Sequence, residues 1–239
     1  MARPAKSKAK VDARGELIEA AWQLFSSAGY DATPVTVIIE KVGLSKGAFY
    51  HYFASKEDIL DAVVGHIIDE IAREIEPIPS MESLSPVQKL SRFIETISNW
   101  KLANIGIVKE TADIIYSDEN VIIRHKMNER VVMSFSPVLA EIISQGLEDG
   151  AFDVEYPGDT AEMIMHFSNA MSEMQAAPFK RLGEDPLVLE LILRGAKLYL
   201  AAIERILGAP AGSVFSIDRD LVQKFERALR ERELRKDAE

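Results

Sequence analysis

The sequence predicts an all-α protein in which a small N-terminal three-helix domain is joined by a connecting helix to a larger helical domain. Three observations lead to this prediction. Apolar residues recur at helical spacing along most of the chain, no stretch alternates as a half-buried strand does, and Pro and Gly separate the helical stretches. Hydrophobic residues make up 47% of the 239 residues, which is enough for a substantial core.

Composition also limits the class of protein. No apolar run is long enough to span a bilayer, and the basic N-terminus is not followed by the apolar block of a signal peptide, so we expect a cytoplasmic protein. The absence of cysteine excludes disulfides, thiolate metal sites and a cysteine nucleophile.

The N-terminal domain is predicted from three short helices at about residues 12–28, 34–41 and 45–52. Their apolar positions predict a small common core, and aromatic residues at such positions are more often core than ligand-binding. The predicted core consists of Phe25, Ile38, Val42, Leu44, Phe49 and Phe53.

The turns between these helices have recognisable end signals. Thr33 is placed to cap the second helix, with Pro34 at its first position. Gly43 suits a tight turn, and Ser45 is placed to cap the third helix. Ser55 caps a further helix that opens with Lys56. A helix, a tight turn and a second short helix in this order indicate a helix-turn-helix motif.

Charge is distributed unevenly along the chain. The net charge is −10, yet residues 1–14 carry +4, residues 1–60 carry +1 and the remainder carries −11. A basic arm on a nearly neutral first quarter, attached to an acidic body, is typical of a DNA-binding module with a separate second domain. The arm is alternatively a solubilising tail. Its Lys6, Lys8 and Lys10 are candidates for salt-sensitive DNA contacts.

The predicted connecting helix spans residues 56–76 and ends before Pro77 and Pro79. It has one wide apolar stripe and is long enough to leave the first domain. Further helices are predicted at about 85–103, 105–116, 118–148, 159–177 and 185–207. These predictions divide the chain into domains at 1–55 and 56–207 and a C-terminal extension at 208–239.

Particular residues define the ends and interruptions of the later helices. Ser85 with Pro86, Asp118, and Asp185 with Pro186 are predicted to open helices, and Asp159 with Glu162 suggests a capping box. Pro137 interrupts the longest helix and is expected to bend it. An extra helix is predicted from Ser216.

The N-terminal residues resemble the tetracycline-repressor family of one-component bacterial regulators over about residues 13–60. The resemblance rests on Arg14, Ala20, Ala21, Leu24, Phe25, Gly29, Tyr30, Thr33, Ile38, Gly43, Ser45, Gly47, Phe49, Tyr50, Phe53, Ser55, Lys56 and Leu60. Two departures are Pro34, where the family usually has Ser or Thr, and Ile39, where it usually has Ala. The first removes a possible phosphate-binding hydroxyl, and neither breaks the motif.

In such a motif the second helix lies in the major groove, while flanking helix N-termini hold phosphates. The resemblance implies the same roles. The predicted DNA contacts are Arg14, Thr33, Thr36, Ser45, Lys46, Gly47, Tyr50, His51 and Lys56.

The larger domain is predicted to dimerise and to bind a ligand. Helices 160–177 and 186–207 are apolar over much of their circumference and are the expected homodimer surface, as the resemblance also implies. An effector pocket for an apolar or aromatic molecule is predicted from residue type alone, although such residues are more often ordinary core. Its candidate residues are Trp100, Tyr116, Met127, Met133, Phe135, Met163, His166 and Phe167.

The leading hypothesis is a dimeric, ligand-responsive repressor that binds a palindromic DNA operator. Two alternatives stay open: a sequence-independent architectural DNA-binding protein, and an α-helical enzyme or lipid-binding bundle. The four histidines lack the Glu-x-x-His pattern of carboxylate-bridged metal bundles, and no Walker loop or Gly-x-Ser-x-Gly motif is present. Glu162 and His166 are four residues apart, but two ligands do not make a metal site. No enzyme activity, cofactor or metal is therefore predicted.

Overall fold

A computed structural model describes residues 13–117, 121–181, 186–215, 223–224 and 227. Over these residues the chain is helical and contains no strand, which confirms the predicted all-α class. The chain divides into two compact units, Met1–Val63 and Val64–Glu239. The sequence predicted that the first domain ends at residue 55, whereas the first unit of the structure also includes residues 56–63 at the start of the next helix.

Four helices contribute to the first unit: α1 (Ala13–Ala28), α2 (Val35–Val42), α3 (Lys46–Tyr52) and the first part of α4 (Lys56–Ile75). Its core contains fully buried aliphatic and aromatic side chains from each of them. These include Leu17, Phe25, Ile38, Phe49, Phe53, Ile59 and Leu60. Val42 and Leu44, also predicted as core, are only half-buried.

The turn between α2 and α3 is closed by the residues that the sequence indicated. Gly43 has φ 72° and lies at the C-terminus of α2, where its N–H donates to the carbonyls of Glu40 and Ile39. The Ser45 hydroxyl accepts from the Ala48 N–H at 3.1 Å and so caps α3. The helix-turn-helix motif is therefore formed by a left-handed glycine followed by a serine cap.

Thr33 differs from its prediction. The residue that precedes α2 is Pro34, and no side chain caps that helix. Thr33 is buried, and its hydroxyl donates to the Gly29 carbonyl at 2.7 Å. Thr33 thus closes the turn after α1 rather than capping α2. The reason is that Pro34 occupies the cap position itself, which moves the threonine one residue further out.

Within the described residues up to 215, the second unit contains the rest of α4 and α5 to α9. A short 3₁₀ turn, Ile78–Ser80, follows α4. The helices are α5 (Pro86–Ala103), α6 (Ile105–Ile115), α7 (Val121–Glu148), α8 (Pro157–Lys180) and α9 (Pro186–Leu207).

The centre of the second unit is formed by α7, which packs against α5 and, most extensively, against α8. Leu139, Ile142 and Ile143 of α7 are almost completely buried. The aromatic rings of Phe93 in α5 and Phe135 in α7 meet edge to face, with centroids 6.4 Å apart. This core supports the helices that surround the cavity described below.

Several predicted helix ends are confirmed and one is wrong. Ser85 and Gln88 form a complete capping box at the start of α5. Helix α8 instead begins at Pro157, two residues before Asp159, and no side chain caps it. The predicted Asp159–Glu162 capping box is therefore wrong, because Pro157 supplies a helical φ and starts the helix earlier. The α8 helix also continues past Ala177 to Lys180.

Other predictions lie outside the described residues. They are the basic arm, the helix openings at Asp118 and Asp185, and the start of the extra helix at Ser216. Within the described part of the chain, no helix combines the length and apolar character that crossing a membrane requires.

Candidate functional site

The outer face of α3 carries the polar side chains that the sequence assigned to DNA. Lys46, Gly47, Tyr50 and His51 are all exposed, whereas Phe49 on the opposite face is fully buried. The Lys46 ammonium lies 5.9 Å from the centroid of the Tyr50 ring, within cation–π distance. The structure thus places four predicted contact residues on one accessible surface.

Gly47 has no packing reason to be a glycine. A Cβ atom built there would meet only the Ser45 hydroxyl, at 3.9 Å. Its φ is not positive either, so its backbone conformation suits other residues. Glycine is unfavourable in a helix, and the packing of the described residues does not require it at this position.

The start of α4 is an organised polar cluster. Ser55 caps the helix by accepting from the Asp58 N–H at 3.1 Å. The Lys56 ammonium lies over the Tyr30 ring, 4.0 Å from its centroid. Burial raises the pKa of Tyr30 to about 12. The negative charge of Glu57 and the hydrogen bond that the phenol donates to that carboxylate contribute to the same shift. Sequence reasoning identified Tyr30 only through the family pattern and missed this contact.

The remaining predicted DNA residues have different surroundings. Arg14 is exposed and its guanidinium lies 5.3 Å from the centroid of the Phe53 ring. Thr36 is exposed in the first turn of α2. Thr33, in contrast, is buried with its hydroxyl bonded to the protein, so its predicted contact with DNA is corrected.

The second unit encloses a mainly apolar cavity of about 420 Å³, with walls from α4 to α9. Trp100, Tyr116, Met127 and Phe135, four of the predicted pocket residues, line it. Burial and the nearby Glu173 carboxylate raise the pKa of the Tyr116 phenol, which is hydrogen-bonded to Ser172 on the cavity wall. The cavity volume lies in the range of small-molecule sites, about 300–1,000 Å³.

The other predicted pocket residues do not line this cavity. Met133 and Met163 are 76% and 52% exposed, and His166 is also exposed. Phe167 packs its ring against Tyr199, with centroids 5.4 Å apart. The helical rotation of α7 and α8 turns these side chains away, and residue type carries no information about that rotation.

Two polar residues that line the cavity, Lys101 and Gln175, were not predicted from the sequence. One signal for Lys101 was present. It follows Leu90, Ile94 and Ile97 on the apolar stripe of α5, at the i+4 position from Ile97, where a charged residue interrupts the pattern. Gln175 had no comparable signal.

The outer faces of α8 and α9 expose apolar side chains. Leu187, Leu191 and Leu198 of α9 are 69%, 51% and 58% exposed and share one face of the helix. Met163 and Met174 of α8 are also exposed and lie eleven residues apart, again on one face. Side chains of this kind are expected to be covered by a partner.

Together, the helix-turn-helix unit with its polar α3 face and the helical unit with an apolar cavity define a class of DNA-binding regulator. Two family models match the chain: bacterial regulatory proteins of the tetR family over residues 17–63, and the tetracyclin repressor-like C-terminal domain over residues 103–188. The chain belongs to the tetR family of bacterial regulatory proteins. It is a transcriptional regulator and not an enzyme.

Individual relatives agree with this assignment. The chain is 27% identical over 143 residues to the HTH-type transcriptional repressor KstR2 of Mycobacterium tuberculosis, covering 58% of this chain and 68% of KstR2. It is 26% identical over 140 residues to the fatty acid metabolism regulator protein of Bacillus subtilis, covering 56% and 68% of the two chains. The structure of RolR in complex with resorcinol shares the fold, with a TM-score of 0.61, 17% identity and coverage of 88% and 92%.

Proposed function

We propose that this regulator is a homodimeric, cytoplasmic repressor that binds a palindromic operator and releases it when a small, largely apolar effector fills the cavity. The observation that carries the proposal is that one helix contributes to both regions. Residues 56–63 of α4 belong to the helix-turn-helix unit, and Val64, Ile67, Ile68 and Ile71 of the same helix line the cavity.

The cavity supports a ligand-dependent mechanism through its contact with α4. A molecule in the cavity touches α4 directly, so a ligand that binds one position of α4 more tightly shifts the population towards it. In a dimer, two recognition helices must fit half-sites about 34 Å apart, so a small change in their separation weakens simultaneous binding. The apolar chemistry of the walls favours an apolar or aromatic effector body.

The known relatives support this mechanism without identifying the effector. RolR was solved with resorcinol, a small aromatic molecule, and the Bacillus subtilis relative is named for fatty acid metabolism. Both descriptions fit a cavity whose walls are mainly apolar.

Dimerisation is supported by the exposed apolar side chains of α8 and α9. A single helix-turn-helix reads too few base pairs to find one site in a genome, and two-fold pairing doubles the recognised length. The family resemblance implies that these two helices of each copy pair as a four-helix bundle.

Selection of bound sequences from random DNA tests the proposal directly. We expect enrichment of an inverted repeat with half-sites about one helical turn apart. Binding without any sequence preference indicates an architectural DNA-binding protein instead. Undetectable binding at low salt contradicts a DNA-based function altogether.

A further inference from the structure

Lys101 is a charged residue in an apolar position. It lies in the last turn of α5 on the stripe formed by Leu90, Ile94 and Ile97. Ile97, Trp100 and Lys101 all line the cavity. Among the described residues that line the cavity, Lys101 is the only one with a charged side chain.

The surroundings of Lys101 are those of a residue on a cavity wall. Its side chain is accessible, yet desolvation by the surrounding protein lowers the pKa of its ammonium group. These two properties agree when the accessible surface of the side chain faces the cavity. The ammonium group is therefore reachable by a bound molecule but poorly solvated by bulk water.

Lys101 also has no counter-charge among the described side chains. No carboxylate forms an ion pair with it among the side chains that the structure describes, and desolvation is the cause that lowers its pKa. A poorly solvated cation without a partner is energetically unfavourable. An anion that enters the cavity supplies the missing partner in surroundings where the charge–charge attraction is strong.

A second polar group beside the cavity has no partner among the described residues. The Gln175 Oε1 atom is buried and accepts no hydrogen bond within the described part of the chain. The Gln175 amide lies against α9 at Gly195, where a Cβ atom would fall 1.4 Å from Nε2. The amide therefore packs against the α9 backbone, and its oxygen is covered by the surrounding protein.

We propose that the effector is an amphiphilic anion with one carboxylate on a mainly apolar body, and that its carboxylate pairs with Lys101. This inference rests on the proposed function of the cavity as the effector site. The apolar walls contribute affinity for the body of the molecule, and Lys101 selects its charged end.

Matched probes test the role of the charge. Decanoate and 4-phenylbutyrate are compared with decanol and 4-phenylbutanol, which differ from them only in the head group. Binding is followed by the fluorescence of Trp100, which lines the cavity, with Trp22 replaced by Phe to remove the other tryptophan. The variants are Lys101→Met and Lys101→Arg, with Lys41→Met as a control because Lys41 is an exposed lysine in the first unit.

The parent protein is expected to bind each acid more tightly than its alcohol by about tenfold or more, as a charge-assisted contact implies. Lys101→Met removes this preference and leaves alcohol binding nearly unchanged, whereas Lys101→Arg and Lys41→Met retain it. Because the lysine is desolvated and unpaired, Lys101→Met is also expected not to lower the melting temperature.

Equal binding of acids and alcohols by the parent protein overturns the inference, and so does an acid preference that survives in Lys101→Met. Specific binding to the selected operator is measured separately without ligand. If that binding persists while the acid preference is absent, the anionic effector is wrong and the regulator function stands. If no operator is selected, the proposed function itself fails.

Discussion

Arg130 of α7 is tied to Asp69 of α4 by a hydrogen-bonded ion pair, with Nη2 and Oδ2 2.7 Å apart. The guanidinium reaches Asp69 by lying against Gly65, one helical turn earlier. A Cβ atom at Gly65 would be 2.5 Å from Arg130 Nη1. Gly65 therefore leaves room for Arg130 of α7 to contact α4.

A double-mutant cycle tests this contact. Gly65→Ala removes a helix-interior glycine, a change that favours the helix by about 1 kcal/mol, but it displaces Arg130. The exposed Arg130–Asp69 ion pair contributes roughly 0.2–1 kcal/mol to stability. When Gly65→Ala is made in the otherwise unchanged protein, the loss of this ion pair therefore nearly cancels the gain in helix stability. When Arg130 is already replaced by Ala, no ion pair is left to lose, so we expect Gly65→Ala to raise the free energy of unfolding in urea by the full amount, about 1 kcal/mol. Equal stabilisation in both backgrounds contradicts the position of Arg130.

Gly47 provides a prediction that separates stability from DNA binding. Gly47→Ala is expected to maintain or raise the melting temperature, because its Cβ atom meets open space within the chain. Operator affinity is expected to fall by about tenfold, because the methyl group obstructs close approach of DNA. Gly158→Ala is the matched control, since Gly158 is also the second residue of a helix and has no atom nearby. If Gly47→Ala binds the operator as tightly as the parent protein, DNA does not approach the α3 backbone closely at this residue.

Lys46 and Tyr50 are expected to contact DNA directly. Lys46→Ala and Tyr50→Ala each weaken operator binding by about tenfold while the dimer persists in sedimentation. If Lys46 binds a phosphate, its removal also lowers the salt dependence of binding by about one ion. Lys224→Ala controls for the change in net charge, because Lys224 is an exposed lysine in the second unit. Binding as tight as that of the parent protein contradicts the assignment of that residue.

The exposed leucines of α9 are expected to hold the dimer together. Leu191→Glu combined with Leu198→Glu places two charges on the apolar face and should yield monomers in sedimentation velocity, with a loss of operator affinity. Leu147→Glu is the control, because Leu147 is a 41% exposed leucine on α7. A double variant that sediments as the parent does would locate the dimer surface elsewhere.

The raised pKa of Tyr30 leads us to expect that the folded protein loses stability at alkaline pH. Its pKa is about 12 in the folded protein and about 10 in the unfolded chain, so the folded state holds the proton more tightly. This contribution is present below pH 10 and is lost as the pH rises towards 12. Tyr30→Phe is expected to reduce the fall in unfolding free energy over that interval, relative to the exposed control Tyr50→Phe. Parallel pH profiles of the two variants contradict the Tyr30–Glu57 contact.

Local signals predicted the first unit well. The Gly43 turn, the Ser45 cap and the Phe49 and Phe53 core positions are all confirmed. These features depend on neighbours within a few residues, so their residue types carry most of the information. Thr33 shows the limit of such signals, because a cap residue and a turn-closing residue have the same side chain.

The cavity could be predicted only in part. Trp100, Tyr116 and Met127 line it, whereas Met133, Met163 and His166 face outward. Apolar residues recur on more than one face of these helices, and only packing against neighbours decides which face turns inward. The capping box predicted at Asp159 failed for a related reason, since two starting points competed and Pro157 began the helix.

The helical class, the helix-turn-helix motif and the contrast between a basic arm and an acidic body all follow from periodicity, turn residues and charge along the chain. Two other features, the position of Lys101 on an apolar cavity and the contact of Arg130 with α4 at Gly65, could be seen only once the helices were packed. The physical reason is distance along the chain. Desolvation of one ammonium group and contact between residues 65 and 130 depend on segments that only packing brings together.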